Sequence, residues 1–167
     1  MRAVPGARAA ATGDAQRHGV AAEPLALGVV SHLDEFLAME DAWNDLLEKS
    51  PQRGQPMLSH EWFRAWWEAF GSDKELFVLT LRAGDRLIGI APLMRARVSY
   101  HGLPVRLLSL ITNDHTNRAD LIIAERPEAC VDLVLDFARR TASCWDLAQF
   151  DFLPVESLTT RAIRARA

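Results

Sequence analysis

Residues 59–71 run Ser-His-Glu-Trp-Phe-Arg-Ala-Trp-Trp-Glu-Ala-Phe-Gly, and no other stretch constrains the fold as much. Trp62, Phe63, Trp66, Trp67 and Phe70 fall at i, i+1, i+4, i+5 and i+8, one wide apolar face of a helix. Ser59 is placed to cap its start, and Gly71 suits a left-handed stop. A hairpin follows: Leu76–Leu81 and Leu87–Val98 read as strands joined by the turn sequence Ala83-Gly84-Asp85-Arg86. The first strand is nearly continuously apolar, so a covering layer is expected on each of its faces. Rings at this spacing are ordinarily core; the wall of a binding groove is the other reading of the same stripe. Five of them overfill a small domain, and some are expected to face a further domain.

Ahead of this package, Leu25–Val30 reads as a short strand. Ser31 then caps a helix, with Asp34 and Glu35 at the positive end of its dipole. Leu33, Phe36, Leu37, Trp43, Leu46 and Leu47 recur at three- and four-residue intervals and predict one buried face. Pro51, Gly54 and Pro56 break the following loop. Beyond the hairpin, His101-Gly102-Leu103-Pro104 marks a turn into a strand over Val105–Ile111. A polar run over 112–118 interrupts, and Ala119–Ala124 resumes the apolar pattern. Pro127 suits the first turn of a helix ending near Thr141, Trp145–Phe152 reads as a strand, and Ser157 caps a last helix. Strands grouped centrally, with helices before and after, predict a mixed α/β (α+β) domain. Its three layers enclose a central, largely antiparallel sheet.

The chain has 167 residues, 49% of them hydrophobic and 25% charged, enough for one domain with a sizeable core. Residues 1–24 are rich in Ala, Arg and Gly and carry no periodic apolar face; they read as a disordered tail. No apolar core follows Arg2, Arg8 or Arg17 as a leader requires. A net charge of −3 gives no general attraction to nucleic acid, and no apolar run reaches the roughly 18–20 residues of a membrane span. Cys130 and Cys144 show neither metal-ligand spacing nor a disulfide framework and read as reduced thiols of a cytoplasmic protein.

Several segments together resemble a known family. They are Leu58-Ser59-His60-Glu61-Trp62 with Trp66-Trp67-Glu68-Ala69-Phe70-Gly71, Leu87-Ile88-Gly89-Ile90-Ala91-Pro92-Leu93-Met94, and Leu103-Pro104-Val105-Arg106. Asp114-His115 ahead of Asp120-Leu121, Trp145-Asp146 and Asp151-Phe152-Leu153-Pro154 complete the set. In this order and spacing they are similar to the N-terminal half of the CelD-like acetyltransferases, bacterial relatives of the FemAB peptidoglycan transferases with two GNAT-type domains in tandem. The likeness runs from Leu25 to the C-terminus. It implies a GNAT-like half-domain over 25–167, incomplete at its C-terminal end, and an N-acyltransferase moving an acyl group from acyl-CoA to an amine. Such proteins are expected at roughly twice this length, so the implied partner is a second GNAT-type domain and the chain a truncated half. The implied acceptor is a small-molecule or glycan amine. A non-catalytic GNAT-like binding or assembly module, linked to extracellular polysaccharide or cell-wall biosynthesis, is the alternative.

The family's acyl-CoA loop has Gln or Arg, two residues, Gly, one residue, then Gly or Ala, and holds pyrophosphate on N–H groups opening a helix. The formal match Arg86-Leu87-Ile88-Gly89-Ile90-Ala91 lies in a predicted strand, whose ladder consumes those groups. Gly89 reads instead as a bulge or a close backbone approach. Where the loop belongs, Glu125-Arg126-Pro127-Glu128-Ala129-Cys130 has no glycine, no N–H at Pro127 and two carboxylates. Acyl-CoA (acetyl-CoA) is therefore expected on the second domain. For substrate binding the candidates are Asp114, His115 and Asn117, with His115 beside Asp114 as base or amine ligand. A solvated turn using Asn and Asp for local hydrogen bonds is the other reading of that segment. His32 and His60 read as exposed first-turn residues. No Ser-His-Asp order, Cys-His pair or metal cluster stands out, and Arg161, Arg164 and Arg166 suit a helix C-terminus.

Overall fold

The structure, a computed structural model, describes residues 23–166. The expected tail over 1–24 therefore lies outside the described residues, apart from Glu23 and Pro24. Leu25–Val30 forms β1 as predicted, followed by two helices, α1 (Leu33–Leu37) and α2 (Glu40–Lys49). Ser31 does not cap α1; His32 holds that position, without a side-chain bond. The chain turns at Ala38-Met39, so Phe36, Trp43, Leu46 and Leu47 are buried while Leu33 and Leu37 are left exposed. The turn sets Trp43 edge-on to Phe36 at 5.8 Å and lets its Nε1–H donate to the Leu58 carbonyl at 2.9 Å.

A 3-10 turn at Pro56–Leu58 leads into α3 (His60–Phe70). Ser59 caps it as expected, its hydroxyl accepting from Trp62 N–H at 3.3 Å. Two expectations about this helix are corrected. Gly71 has φ −88°, not a left-handed backbone. Its glycine answers a close approach: a Cβ there would stand 2.6 Å from the Trp67 carbonyl oxygen and 2.7 Å from the indole. His60 is fully buried, not exposed; its Nε2–H donates to the Phe36 carbonyl at 2.8 Å, with the two rings 4.6 Å apart.

The two predicted hairpin strands are each broken by one residue. β2 (Glu75–Leu76) and β3 (Val78–Ala83) flank Phe77; β4 (Arg86–Ala91) and β5 (Leu93–Tyr100) flank Pro92. Proline has no N–H to give a ladder, so the strand changes neighbours there. β6 (Leu103–Leu110) pairs with β5 through a two-residue turn in which His101 and Gly102 both take positive φ. β7 (Ile122–Ile123) pairs with β4, and α4 (Pro127–Arg140) follows with Pro127 in its first turn. Of the strand expected over Trp145–Phe152 only β8 (Leu147–Gln149) forms, because Phe152 turns the chain at φ +61°. α5 (Leu158–Arg164) is capped by Ser157, which accepts from Thr160 N–H at 3.0 Å.

The strands build two four-stranded sheets, ordered β1-β3-β4-β7 and β2-β5-β6-β8, and the chain passes from one to the other at Phe77 and Pro92. Every pairing is antiparallel except β6 with β8. Successive residues of β3 alternate between two cores, as period-two side chains must. Val78 joins Phe36, Trp43, Phe63 and Trp66 of the first three helices, whereas Leu79 and Leu81 join Val131, Val134 and Ala162 of α4 and α5. Helices thus cover both faces, the three-layer mixed α/β architecture read from the sequence. Among the described residues no helix is long and apolar enough to cross a membrane.

Candidate functional site

The amphipathic face of α3 divides its aromatic rings between two duties. Phe63 and Trp66 are buried, Trp62 and Trp67 half-buried, and Phe70, on the last turn, is 42% exposed. Trp62, Ala65, Trp66 and Phe70 recur at helical spacing and wall a cleft of about 180 Å³. The far side is the segment that leaves β6, where Asn113 and His115 line the same cleft. The Phe70 and His115 rings lie 6.2 Å apart at 35°, and Trp66 lies 5.5 Å from Phe70.

Local hydrogen bonds hold this loop. Asn113 Oδ1 accepts from His115 N–H at 3.0 Å, Asn113 N–H donates to Thr116 Oγ1 at 3.1 Å, and Thr116 N–H donates to the Asn113 carbonyl at 2.8 Å. Thr116 is buried beneath the turn while Asp114, His115 and Asn117 are exposed. The loop thus has the Asn-stabilised turn of the plainer sequence reading, and the same turn swings His115 against α3. Of the three sequence candidates, His115 lines the cleft; Asp114 and Asn117 stand outside its lining. Asp114 makes no hydrogen bond to the His115 ring among the described residues. What the sequence reading underrated was Phe70 and Trp62 as cleft walls. Its signal was present in the surplus of rings on one helix face.

Neither candidate pyrophosphate loop has the required shape. Arg86–Ala91 is β4, bonded to β3 on one side and β7 on the other, so its N–H groups are committed to strands. A register shift opposite Gly89, and the 2.9 Å a Cβ there would leave to Leu81, account for that glycine. At the start of α4, Arg126 is left-handed at φ +52°, and Glu125 is held in an ion pair by Arg86. Pro127 withholds an N–H, and Glu128 places a carboxylate in the first turn. These residues do not fit a pyrophosphate, whose charge they would repel.

Two further ionisable groups are buried. Asp120 is 1% exposed; burial, only partly offset by Thr159, the Leu121 N–H, Gln52 and Ser157, raises its carboxyl above the usual range. Its Oδ1 accepts from Leu121 N–H at 2.9 Å, and Gln52 Nε2 donates to the Leu121 carbonyl at 3.1 Å. Burial pushes the Cys130 thiol up to about 11, which makes it a poor nucleophile at neutral pH. Cys144 is exposed, and both cysteines are free. Among the described residues no group of three His, Cys, Asp or Glu side chains is placed to hold a metal ion.

The sequence model of the acetyltransferase (GNAT) domain matches residues 8–105, more than half of the chain. Among solved structures, the ribosomal-protein-alanine N-acetyltransferase of Brucella melitensis biovar Abortus 2308 is similar at 12% identity and a TM-score of 0.48. That likeness covers 85% of this chain and 89% of the other. A GNAT family acetyltransferase of Staphylococcus aureus subsp. aureus USA300_TCH1516 is similar at 10% identity and a TM-score of 0.45, covering 76% of this chain and 85% of its own. The chain has no significant match among curated proteins. On the extent of the family match, the chain belongs to the GNAT acetyltransferases.

Proposed function

We propose that this chain is the acceptor-binding domain of a CelD-like N-acyltransferase, one that moves an acyl group from acyl-CoA to a small-molecule or glycan amine. Membership of the GNAT acetyltransferases carries the acyl-transfer chemistry, because that family generally uses acetyl-CoA. The observation that carries the division of labour is the contrast between the loop after β6 and the start of α4. In the loop, His115 stands at a cleft walled by α3, whereas α4 opens on a left-handed arginine, a proline and two carboxylates. In this reading a second GNAT-type domain supplies the donor site. His115 takes the proton from the acceptor nitrogen, and Asp114 and Asn117 meet the parts of the acceptor that project from the cleft. The reading includes a cytoplasmic setting, with which free thiols at Cys130 and Cys144 agree.

The self-satisfied hydrogen bonds of the Asn113–Thr116 turn favour one other reading, a non-catalytic module that docks a polysaccharide or cell-wall assembly component. Calorimetric titration of acetyl-CoA separates them. This chain alone is expected to show no site tighter than about 100 μM. Acyl transfer is expected on co-expression with the second domain, and His115→Ala is expected to lower kcat/KM of that assembly by about 10²-fold or more. A tight site on the isolated chain would refute the division of labour, and an assembly indifferent to His115→Ala would refute the acceptor site.

A further inference from the structure

The walls of the α3 cleft identify what kind of group enters it, an inference that rests on the acceptor-site reading above. Trp62 and Phe70 bring part-exposed aromatic rings to it beside the nearly buried Trp66, and His115 adds a further ring, tilted against Phe70 at 6.2 Å. Aromatic faces carry the negative lobe of the ring quadrupole and attract a cation placed over them. No charged side chain is among the lining residues. The nearest cation on the helix, Arg64, is two residues from both Trp62 and Trp66 and therefore on another face, where it pairs with Glu40 and Glu68. The carboxylates Glu61 and Asp114 adjoin Trp62 and His115 in sequence and are exposed. A sugar ring would need several hydrogen-bonding partners. The cleft offers few, because Asn113 Oδ1 is already taken by His115 N–H and Thr116 Oγ1. A plain alkyl group would gain burial but nothing from the rings' electrostatics.

We propose that the Trp62–Trp66–Phe70 cleft is an aromatic cage for an organic ammonium group, which seats the acceptor as its cation at the mouth where His115 stands. The cage then accounts for ring surface that the core does not use: Phe70 is 42% exposed although it ends the most aromatic helix of the chain.

The test uses two ligands of one shape and different charge, choline and 3,3-dimethylbutan-1-ol, titrated into the whole chain and followed through the indole N–H resonances. The cage requires choline to bind at least tenfold more tightly than its uncharged isostere, with shifts at Trp62 and Trp66. Phe70→Leu, which keeps an apolar side chain and removes a ring face, is expected to weaken choline severalfold and leave the alcohol unchanged. Equal or tighter binding of the alcohol would overturn the proposal and leave a hydrophobic seat; binding of neither would overturn it outright. The acyltransferase reading is judged apart from this, by amine acylation in the two-domain assembly. A failed cage with His115-dependent acylation would therefore remove the cage alone, and a working cage without acylation would remove the reading of the reaction.

Discussion

One carboxyl, that of Asp120, is carried into the core between the polar loop and β7. It is almost wholly buried, with Oδ1 bonded to the Leu121 N–H and Oδ2 without a geometric partner. In the folded state its carboxyl is raised above the usual carboxylate range, with burial as the first cause. Between the ordinary carboxylate range and that raised value, the folded chain keeps a proton that the unfolded chain has released. Stability from this group is therefore full at acid pH and is lost as pH rises through the folded value. Asp120→Asn keeps an oxygen for the Leu121 N–H and cannot ionise. Its Tm is expected to match the native chain near pH 4 and to exceed it by a widening margin towards pH 8. A margin that stays constant with pH would show that Asp120 does not titrate in this way.

At the scale of elements, the aromatic helix and its glycine separate what a sequence discloses from what it hides. Periodicity and Ser59 placed α3 to within a residue, because capping and amphipathicity are local rules. Gly71 was legible as a helix end but not for its reason, since the constraint comes from where Trp67 packs rather than from φ. Gly71→Ala and Gly71→Asn should both cost about 1–3 kcal/mol in denaturant unfolding, the usual range for overpacking. If Asn were tolerated and Ala not, a left-handed backbone would be the better account. The same division explains the other departures. Ala38-Met39 contains no helix breaker, so nothing local announces the turn that exposes Leu33 and Leu37. Pro92 was readable as a ladder break, yet apolar continuity across it favoured one strand over two. His60 looked like a first-turn surface residue because its partner, the Phe36 carbonyl, lies 24 positions away. The candidate site was half legible for a related reason: the polar loop and the ring stripe stand out separately, and only tertiary contact joins His115 to Phe70.

At the scale of the whole molecule, two segments that carried the family resemblance, Leu103–Arg106 and Trp145-Asp146, meet in one clamp. Arg106 and Asp146, 40 residues apart, meet in a bidentate pair at 3.1 and 2.8 Å, and the Arg106 N–H donates to the same carboxylate at 2.8 Å. This clamp fixes β8 in its parallel pairing with β6. Arg106 holds the Asp146 carboxyl down at about 2. Its contribution is thus present above the ordinary carboxylate range and is lost as pH falls through about 2, the opposite sign to Asp120. Asp146 anchors β8, and the segment that follows β8 reaches α5, where Thr160 Oγ1 donates to the Pro154 carbonyl at 2.8 Å; Asp120 lies against Thr159 and Ser157 at the start of the same helix. The pair is half exposed, so its removal should register locally more than globally. In Asp146→Asn, hydrogen exchange is expected to quicken in β8 and α5 while β1, β3 and β4 keep their protection. Each of those three is held by a second strand or by a core that does not include β8. A uniform loss of protection across both sheets would mean that β8 and α5 open only with the whole domain, and that the junction at Phe77 and Pro92 transmits every local opening.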